Sequence, residues 1–216
     1  KEVNEQPKSI FDTLRGRLHV DKNIISIGGI NQYEKKFLNA DRIIIVACGT
    51  SWHAGLVAEY LIEDLVRIPV EVEYASEFRY KNPIITERDI VISVSQSGET
   101  ADTLSAIKLA KAKGATIFGV CNVVGSSIAR ESHVGAYTHA GPEIGVASTK
   151  AFTAQVTIFI LIALNLAEKK GTISQKLYRK LLRELDAIPS KVEQTLKLDA
   201  QSRYIASVYK DVPNCL

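Results

Sequence analysis

The chain has 216 residues, of which 46% are hydrophobic and 24% are charged, and its formal net charge is +3 at neutral pH. A chain of this length and composition can bury a sizeable core and is typical of a soluble globular protein. Basic and acidic residues are scattered and form no basic stripe, so we expect neither nucleic acid nor a membrane as a partner.

Cysteine usage indicates a reducing compartment. Cys48, Cys121 and Cys215 show no metal-ligand spacing, and the first two lie in or beside predicted strands, which is typical of reduced thiols in a cytoplasmic protein. We expect no metal and no cofactor. The longest apolar run, residues 156–167, is shorter than the ~20 residues that cross a bilayer, so we predict a buried helix there. The chain contains no methionine, and we expect it to be a piece of a longer polypeptide.

In chain order, the sequence first predicts a polar helix within residues 1–18, with Pro7 near its start, and then a turn at Gly28-Gly29. From residue 43 onward, strand-like runs alternate with helix-like runs. The strand-like runs are residues 43–46, 70–74, 90–94, 116–120 and 134–137. The helix-like runs between them are residues 52–66, 76–80, 104–113 and 126–131. Isoleucine and valine fill the strands almost continuously, which indicates a parallel sheet covered on both faces. We therefore predict an α/β fold with a doubly wound, mainly parallel five-stranded sheet and helices on both faces.

The remainder of the chain is predicted to be helical. A long apolar helix over residues 147–170 is stopped by Gly171, and two amphipathic segments follow over residues 174–185 and 190–208, with Pro189 between them. We expect three regions: a linker or helical segment over residues 1–40, the α/β domain over residues 41–170, and a C-terminal helical segment over residues 171–216.

Two strand-to-helix turns share a chemistry suited to an anion. The turn after the strand at residues 90–94 contains Ser95, Gln96, Ser97, Gly98 and Thr100. The hydroxyls are donors, glycine allows close approach of the backbone, and the following helix presents unpaired N–H groups. Such a turn can hold a phosphate without a lysine.

The second turn of this kind, residues 48–51, contains Gly49, Thr50 and Ser51 after the strand at residues 43–46. Serine and threonine at a helix start are also ordinary N-caps, and for one turn alone that would be the simpler interpretation. Two such turns on neighbouring strand ends favour a binding site, because ligands of open parallel sheets bind at the carboxyl ends of the strands.

A third loop, residues 138–150, is predicted to leave the same end of the sheet and to turn backbone carbonyls towards the cleft. The alternative is a plain connection in which Ser148 caps the long helix. Glu99 is expected to point away from the phosphate and to stabilise its helix start, and His53 is expected to be a surface or packing residue. His139 and Glu143 are candidate acid–base groups, but no complete catalytic set is visible.

The segment Ser95–Thr103 resembles the signature of sugar isomerase (SIS) domains. Four further segments, at residues 48–51, 75–80, 121–123 and 143–150, extend the likeness over essentially the whole chain. Together they resemble the first SIS subdomain, of flavodoxin-like fold, in the isomerase half of the glutamine–fructose-6-phosphate aminotransferase family.

The resemblance implies an activity of the full enzyme, which makes glucosamine 6-phosphate from fructose 6-phosphate and ammonia released from glutamine. It implies that the sugar phosphate is contacted by Thr50, Ser51, Ser95, Gln96, Ser97 and Thr100. The Val146 carbonyl and Ser148 would face the sugar hydroxyls. The base for proton transfer would lie in a second SIS subdomain, so no catalytic residue is assigned here. That subdomain, a glutaminase domain of the same polypeptide and a second copy in a homodimer are the implied partners.

Two other functions remain open from the residues. A stand-alone sugar-phosphate isomerase would need a base of its own, for which His139 and Glu143 are the candidates. A sugar-phosphate sensor would carry a DNA-binding domain beside the SIS domain.

Overall fold

A five-stranded parallel sheet forms the centre of the fold. The computed structural model describes residues 1–145 and 148–214. The strands are β1 (Leu18–His19), β2 (Ile24–Ile25), β3 (Arg42–Ala47), β4 (Val70–Tyr74), β5 (Asp89–Ser95), β6 (Thr116–Cys121) and β7 (Val134–Tyr137). β1 and β2 form a small antiparallel pair, and the other five form the sheet in the order β4-β3-β5-β6-β7 with every neighbouring pair parallel. The predicted fold class is confirmed.

Helices cover both faces of this sheet. They are α1 (Glu2–Leu14), α2 (Gly28–Gln32), α3 (Glu34–Leu38), α4 (Thr50–Val66), α5 (Ala75–Tyr80), α6 (Ala101–Ala112), α7 (Ser127–Glu131), α8 (Lys150–Lys170), α9 (Gln175–Asp186), α10 (Ile188–Leu196) and α11 (Asp199–Tyr209). Side chains of a strand alternate between faces. Ile43 and Ile45 of β3 accordingly pack with α1, α4, α8 and α9, whereas Ile44 and Val46 pack with α5, α6 and α7.

The strand order creates a switch point beside β3. The chain runs from β3 outward to β4 on one side, and then returns to place β5 on the other side of β3. In open parallel sheets, connections that leave in opposite directions mark the place where ligands bind, which here is the carboxyl ends of β3 and β5. These are the strands that carry the two hydroxyl-rich turns.

Two predictions for the first forty residues were wrong. Pro7 lies inside α1 and not at its start. Proline cannot donate to the Val3 carbonyl, and the side-chain amide of Gln6 donates to that carbonyl instead, at 3.2 Å. Gly28 and Gly29 begin the short helix α2 and do not form a turn. A Cβ at Gly29 would lie 2.8 Å from the Gly135 carbonyl oxygen, so glycine is needed there for close packing on β7.

The C-terminal part differs from the prediction in two details. Residues 190–208 form parts of two helices, and Pro189 lies in the first turn of α10, where a missing N–H costs nothing. α8 has 21 residues and is therefore long and apolar enough to cross a membrane, but 72% of its most apolar window is buried inside the fold. Burial, and not shortness, marks α8 as a core helix. The predicted start of this helix at Ala147 lies outside the described residues.

Candidate functional site

The two hydroxyl-rich turns lie side by side. β3 and β5 pair directly, with Val46 opposite Ser93, so residues 48–51 and residues 95–100 leave neighbouring strands at the same edge of the sheet. The structure therefore brings together the predicted binding residues of both turns, which are Thr50, Ser51, Ser95, Gln96, Ser97 and Thr100. Among them Thr50 and Ser97 are exposed, Gln96 and Thr100 are half-buried, and Ser51 and Ser95 are buried.

The Ser95 hydroxyl lies at the base of its turn and is only 3% exposed. Its oxygen accepts the backbone N–H of Gly98 at 2.9 Å and lies 2.9 Å from the Thr100 hydroxyl oxygen. A hydroxyl has one hydrogen and two lone pairs. Ser95 can therefore give its hydrogen to Thr100, which leaves the hydrogen of the half-buried Thr100 free for a ligand.

Ser97 stands at the tip of the same turn. Its oxygen accepts the backbone N–H of Glu99 at 3.2 Å, so its hydrogen is available to an acceptor outside the turn. Gly98 follows with a φ of +68°, and a Cβ at this position would lie 2.0 Å from the Ser126 hydroxyl oxygen. The turn thus requires glycine both for its backbone conformation and for its packing.

Two acidic side chains at this end of the sheet, Glu99 and Asp102, interact with other groups of the protein. Glu99 was expected to stabilise the start of its own helix, but its carboxylate accepts the backbone N–H of Ser127, at the start of α7, at 2.7 Å. Hydrogen bonding by Ser127 lowers the pKa of Glu99, so the group is a carboxylate at neutral pH. Asp102, in the first turn of α6, pairs with Arg79 at 3.2 Å. Both negative charges have partners, which reduces their repulsion of a bound anion.

The turn after β3 is anchored by a side chain of α8. Gly49 has a φ of +58° and precedes the first turn of α4. The Ser51 oxygen accepts a hydrogen bond from the side-chain amide of Gln155, on α8, at 3.0 Å. The exposed His53 has its Nδ1 3.1 Å from the Gly49 carbonyl oxygen, which agrees with its predicted surface position.

The third loop is anchored by side chains rather than by strand pairing. Asn122, at the end of β6, accepts the Thr138 hydroxyl at 2.9 Å and the Ala140 backbone N–H at 2.8 Å through Oδ1. Glu2 of α1 accepts the backbone N–H groups of Ile144 and Gly145. Neither Asn122 nor Glu2 is among the predicted site residues, although a polar residue directly after a buried strand is a usable signal for Asn122.

Glu143 caps α8. Its carboxylate accepts the backbone N–H groups of Thr149 at 2.8 Å and Ala151 at 3.3 Å. The alternative in which the Ser148 side chain is the cap was wrong, because the capping oxygen comes from Glu143. Ser148 is half-buried in the approach to α8. The predicted carbonyl contact of Val146 lies outside the described residues.

Two further reactive groups have shifted pKa values. His139 is exposed, yet partial desolvation lowers its pKa, and the nearby Arg17 and Arg15 lower it further. Burial also raises the pKa of the Cys121 thiol to about 11, so this thiol stays protonated at neutral pH. In the described parts of the chain, no cluster of three or more histidine, cysteine, aspartate or glutamate side chains could hold a metal ion.

Comparison with known proteins identifies the domain family. The SIS domain model matches residues 36–165. The glutamine–fructose-6-phosphate aminotransferase [isomerizing] of Bacteroides thetaiotaomicron is 59% identical over 199 residues, which is 92% of this chain and 32% of the relative. That of Chlorobaculum tepidum is 56% identical over 216 residues, which is 100% of this chain and 35% of the relative. The chain thus spans about a third of the length of these relatives.

A solved structure has the same architecture. The C-terminal domain of glucosamine-fructose-6-phosphate aminotransferase from Francisella tularensis superimposes with a TM-score of 0.89 at 38% identity, over 97% of this chain and 58% of that one. The family model covers more than half of the chain, and the sheet, the switch point and the hydroxyl-rich turns all fall within the matched residues. The chain belongs to the SIS domain family.

Proposed function

We propose that this chain is the sugar-phosphate-binding SIS subdomain of a cytoplasmic glutamine–fructose-6-phosphate aminotransferase. The ligand is fructose 6-phosphate as substrate or glucosamine 6-phosphate as product. In this proposal the polypeptide also carries a second SIS subdomain and a glutaminase domain, and it acts as a homodimer. The chain binds and orients the sugar phosphate, and the base for proton transfer comes from the second subdomain.

The observation that carries the proposal is the pairing of two donor-rich turns at the switch point. The exposed Ser97 keeps its hydroxyl hydrogen for an outside acceptor, because its oxygen only accepts the Glu99 backbone N–H within the turn. The half-buried Thr100 keeps its own hydrogen when Ser95 donates to it. The α6 helix adds unpaired N–H groups and the positive end of its dipole. Neutral donors of this kind suit a phosphate dianion.

The same geometry favours binding over catalysis. Glu143 is the acidic candidate for a base, but its carboxylate is occupied by two backbone N–H groups at the start of α8. His139 lies in a groove against α1 together with Glu5, Lys8 and Asp12. The contacts of both groups thus lie outside the two hydroxyl-rich turns. The sugar phosphate is therefore held here and converted with groups from elsewhere in the enzyme.

Calorimetric titration with fructose 6-phosphate, with inorganic phosphate as the reference ligand, tests the proposal. A hydrogen bond to a charged group contributes about 1.5–3 kcal/mol, so Ser97→Ala and Thr100→Val should each weaken binding by about tenfold or more. Ser207→Ala is the matched control, because this hydroxyl on α11 bonds to the Tyr204 carbonyl, on a helix whose residues are all exposed. If the double variant at Ser97 and Thr100 bound fructose 6-phosphate as well as the unchanged chain, the phosphate would have to bind elsewhere.

A further inference from the structure

The second hydroxyl-rich turn, residues 48–51, contacts a buried side-chain amide. Gln155 lies on α8, the core helix, and is only 2% exposed. Its side-chain nitrogen donates to the Ser51 hydroxyl oxygen at 3.0 Å, which links α8 to the first turn of α4. Ser51 is itself only 8% exposed. The contact joins residues 104 positions apart in sequence, and nothing in the sequence patterning indicates it.

This contact decides what the Ser51 hydroxyl can do. The amide nitrogen of Gln155 has no lone pair to offer, so Ser51 must accept there. The single hydrogen of Ser51 cannot then point at Gln155, and it is left for another acceptor. The turn after β3 thus gains a hydrogen-bond donor whose orientation is set by Gln155.

Packing alone does not account for an amide at this position. The Oε1 atom of Gln155 is buried and has no partner among the described residues. A buried polar atom without a partner destabilises the folded state, and an apolar side chain of similar volume would avoid that cost. What distinguishes Gln155 is therefore the hydrogen bond that its nitrogen makes to Ser51, at the start of α4.

We propose that Gln155 is a positioning residue that holds the Ser51 hydroxyl as a hydrogen-bond donor to an anionic oxygen of the sugar phosphate. This inference rests on the proposed function. Gln155 does not touch the ligand itself; it acts by occupying a lone pair of Ser51 and so directing the hydrogen outward.

α8 offers a matched control. Asn165 is a second buried amide of the same helix, 3% exposed, and its nitrogen donates to the Ile25 carbonyl oxygen at 2.9 Å. Its Oδ1 is likewise buried without a partner among the described residues. Asn165 therefore shares the helix, the burial and the unpaired acceptor with Gln155, but its partner lies in β2 and not at the ends of β3 and β5.

The test is a calorimetric titration with fructose 6-phosphate of the unchanged chain and of variants at both positions. Gln155→Met keeps the volume and removes the donor, and should weaken binding about three- to tenfold. Gln155→Glu replaces the donor with an acceptor that draws the Ser51 hydrogen inward, so it should weaken binding at least tenfold. Asn165→Leu should leave the affinity within about twofold, and thermal unfolding of each variant reports separately on the fold.

A double-mutant cycle identifies the route of the effect. In a Ser51→Ala background there is no hydroxyl to orient, so adding Gln155→Met should change the affinity by less than twofold. Equal weakening by Gln155→Met with and without the Ser51 hydroxyl would overturn the inference, as would unchanged affinity of the single Gln155→Met variant. If the unchanged chain binds fructose 6-phosphate no better than inorganic phosphate, the proposed function itself fails, and this inference fails with it.

Discussion

Ser95 and Ser97 are two positions apart, and the fold gives their hydroxyls different tasks. Ser95 is buried, and its hydroxyl accepts the backbone N–H of Gly98 and shares a hydrogen bond with the Thr100 hydroxyl inside the turn. Ser97 is exposed at the tip and keeps its hydrogen for an outside partner. We therefore expect replacement of Ser95 to act on the turn, and replacement of Ser97 to act on the proposed ligand. At the scale of single residues, burial and hydrogen-bond geometry separate positions that the sequence motif treats alike.

Gly98 provides a prediction at this scale. Its φ of +68° strains any L side chain, and an added Cβ would also lie 2.4 Å from the Ser126 Cβ. Gly98→Ala should therefore destabilise the chain by more than the ~1 kcal/mol expected for backbone strain alone. Gly125→Ala is the control, since Gly125 has a φ of +72° with nothing within 4 Å of the added atom. Urea unfolding compares the two, and equal losses would contradict the packing argument.

At the scale of elements, the two central strands are tied together at the end opposite the site. Arg42 begins β3 and Asp89 begins β5, and the guanidinium Nε lies 3.0 Å from a carboxylate oxygen. Burial alone would raise the pKa of Asp89, but hydrogen bonds from Arg42 and from the Thr86 backbone N–H outweigh it and hold the pKa below its ordinary value. The ion pair thus fixes the start of both strands, while their carboxyl ends carry the two hydroxyl-rich turns.

Asp89→Asn should lower the free energy of unfolding by about 1–3 kcal/mol at pH 7, because it removes a charged hydrogen-bond acceptor. The native pKa lies below the unfolded one, so the stabilisation is complete above the ordinary aspartate pKa of about 3.9 and is lost as the pH falls through the native value. The difference between the two proteins, measured by denaturant unfolding from pH 7 to pH 2, should shrink over that lower range. A difference that stays constant down to pH 2 would show that Asp89 acts through packing. Affinity for fructose 6-phosphate should be unchanged.

At the scale of the whole molecule, α8 unites regions that are far apart in sequence. Its buried residues join α1, α4, α9 and one face of the sheet in a single core. Ile10 and Phe37, from the first forty residues, belong to the same core. The same helix is capped by Glu143 of the third loop and contacts the Ser51 turn through Gln155. The division of the chain at residues 40 and 170 stays a prediction.

Ile162→Ala tests the role of α8 as the core helix. Ile162 is fully buried, and truncation of such a side chain costs about 2–5 kcal/mol through lost burial and a residual cavity. Leu198→Ala is the control, because that side chain, between α10 and α11, is 53% exposed and should change stability by less than ~0.5 kcal/mol. Thermal unfolding of both variants measures the contrast. Similar effects of the two changes would mean that α8 is not the centre of the core.

The sequence alone determined the sheet and predicted where the candidate site lies. The isoleucine and valine runs of β3 and β5 identify buried parallel strands, because only strands covered on both faces are apolar at every position. Gly98 and the hydroxyls around it identify a turn built for close approach. The predictions for Pro7 and Gly29 were wrong because each residue is accommodated by a group that acts in the folded chain. The Gln6 amide compensates for Pro7, and the Gly135 carbonyl packs against Gly29.

Only the tertiary structure decided which groups support the site. Gln155 contacts the turn after β3, and Glu2 contacts the third loop, both across long sequence separations. No local pattern encodes such contacts, because they depend on how α8 and α1 pack against the sheet. Local hydrogen bonding and hydrophobic periodicity depend on neighbouring residues and can be recognised from the sequence. The direction of a single hydroxyl hydrogen depends on the groups that the fold places beside it.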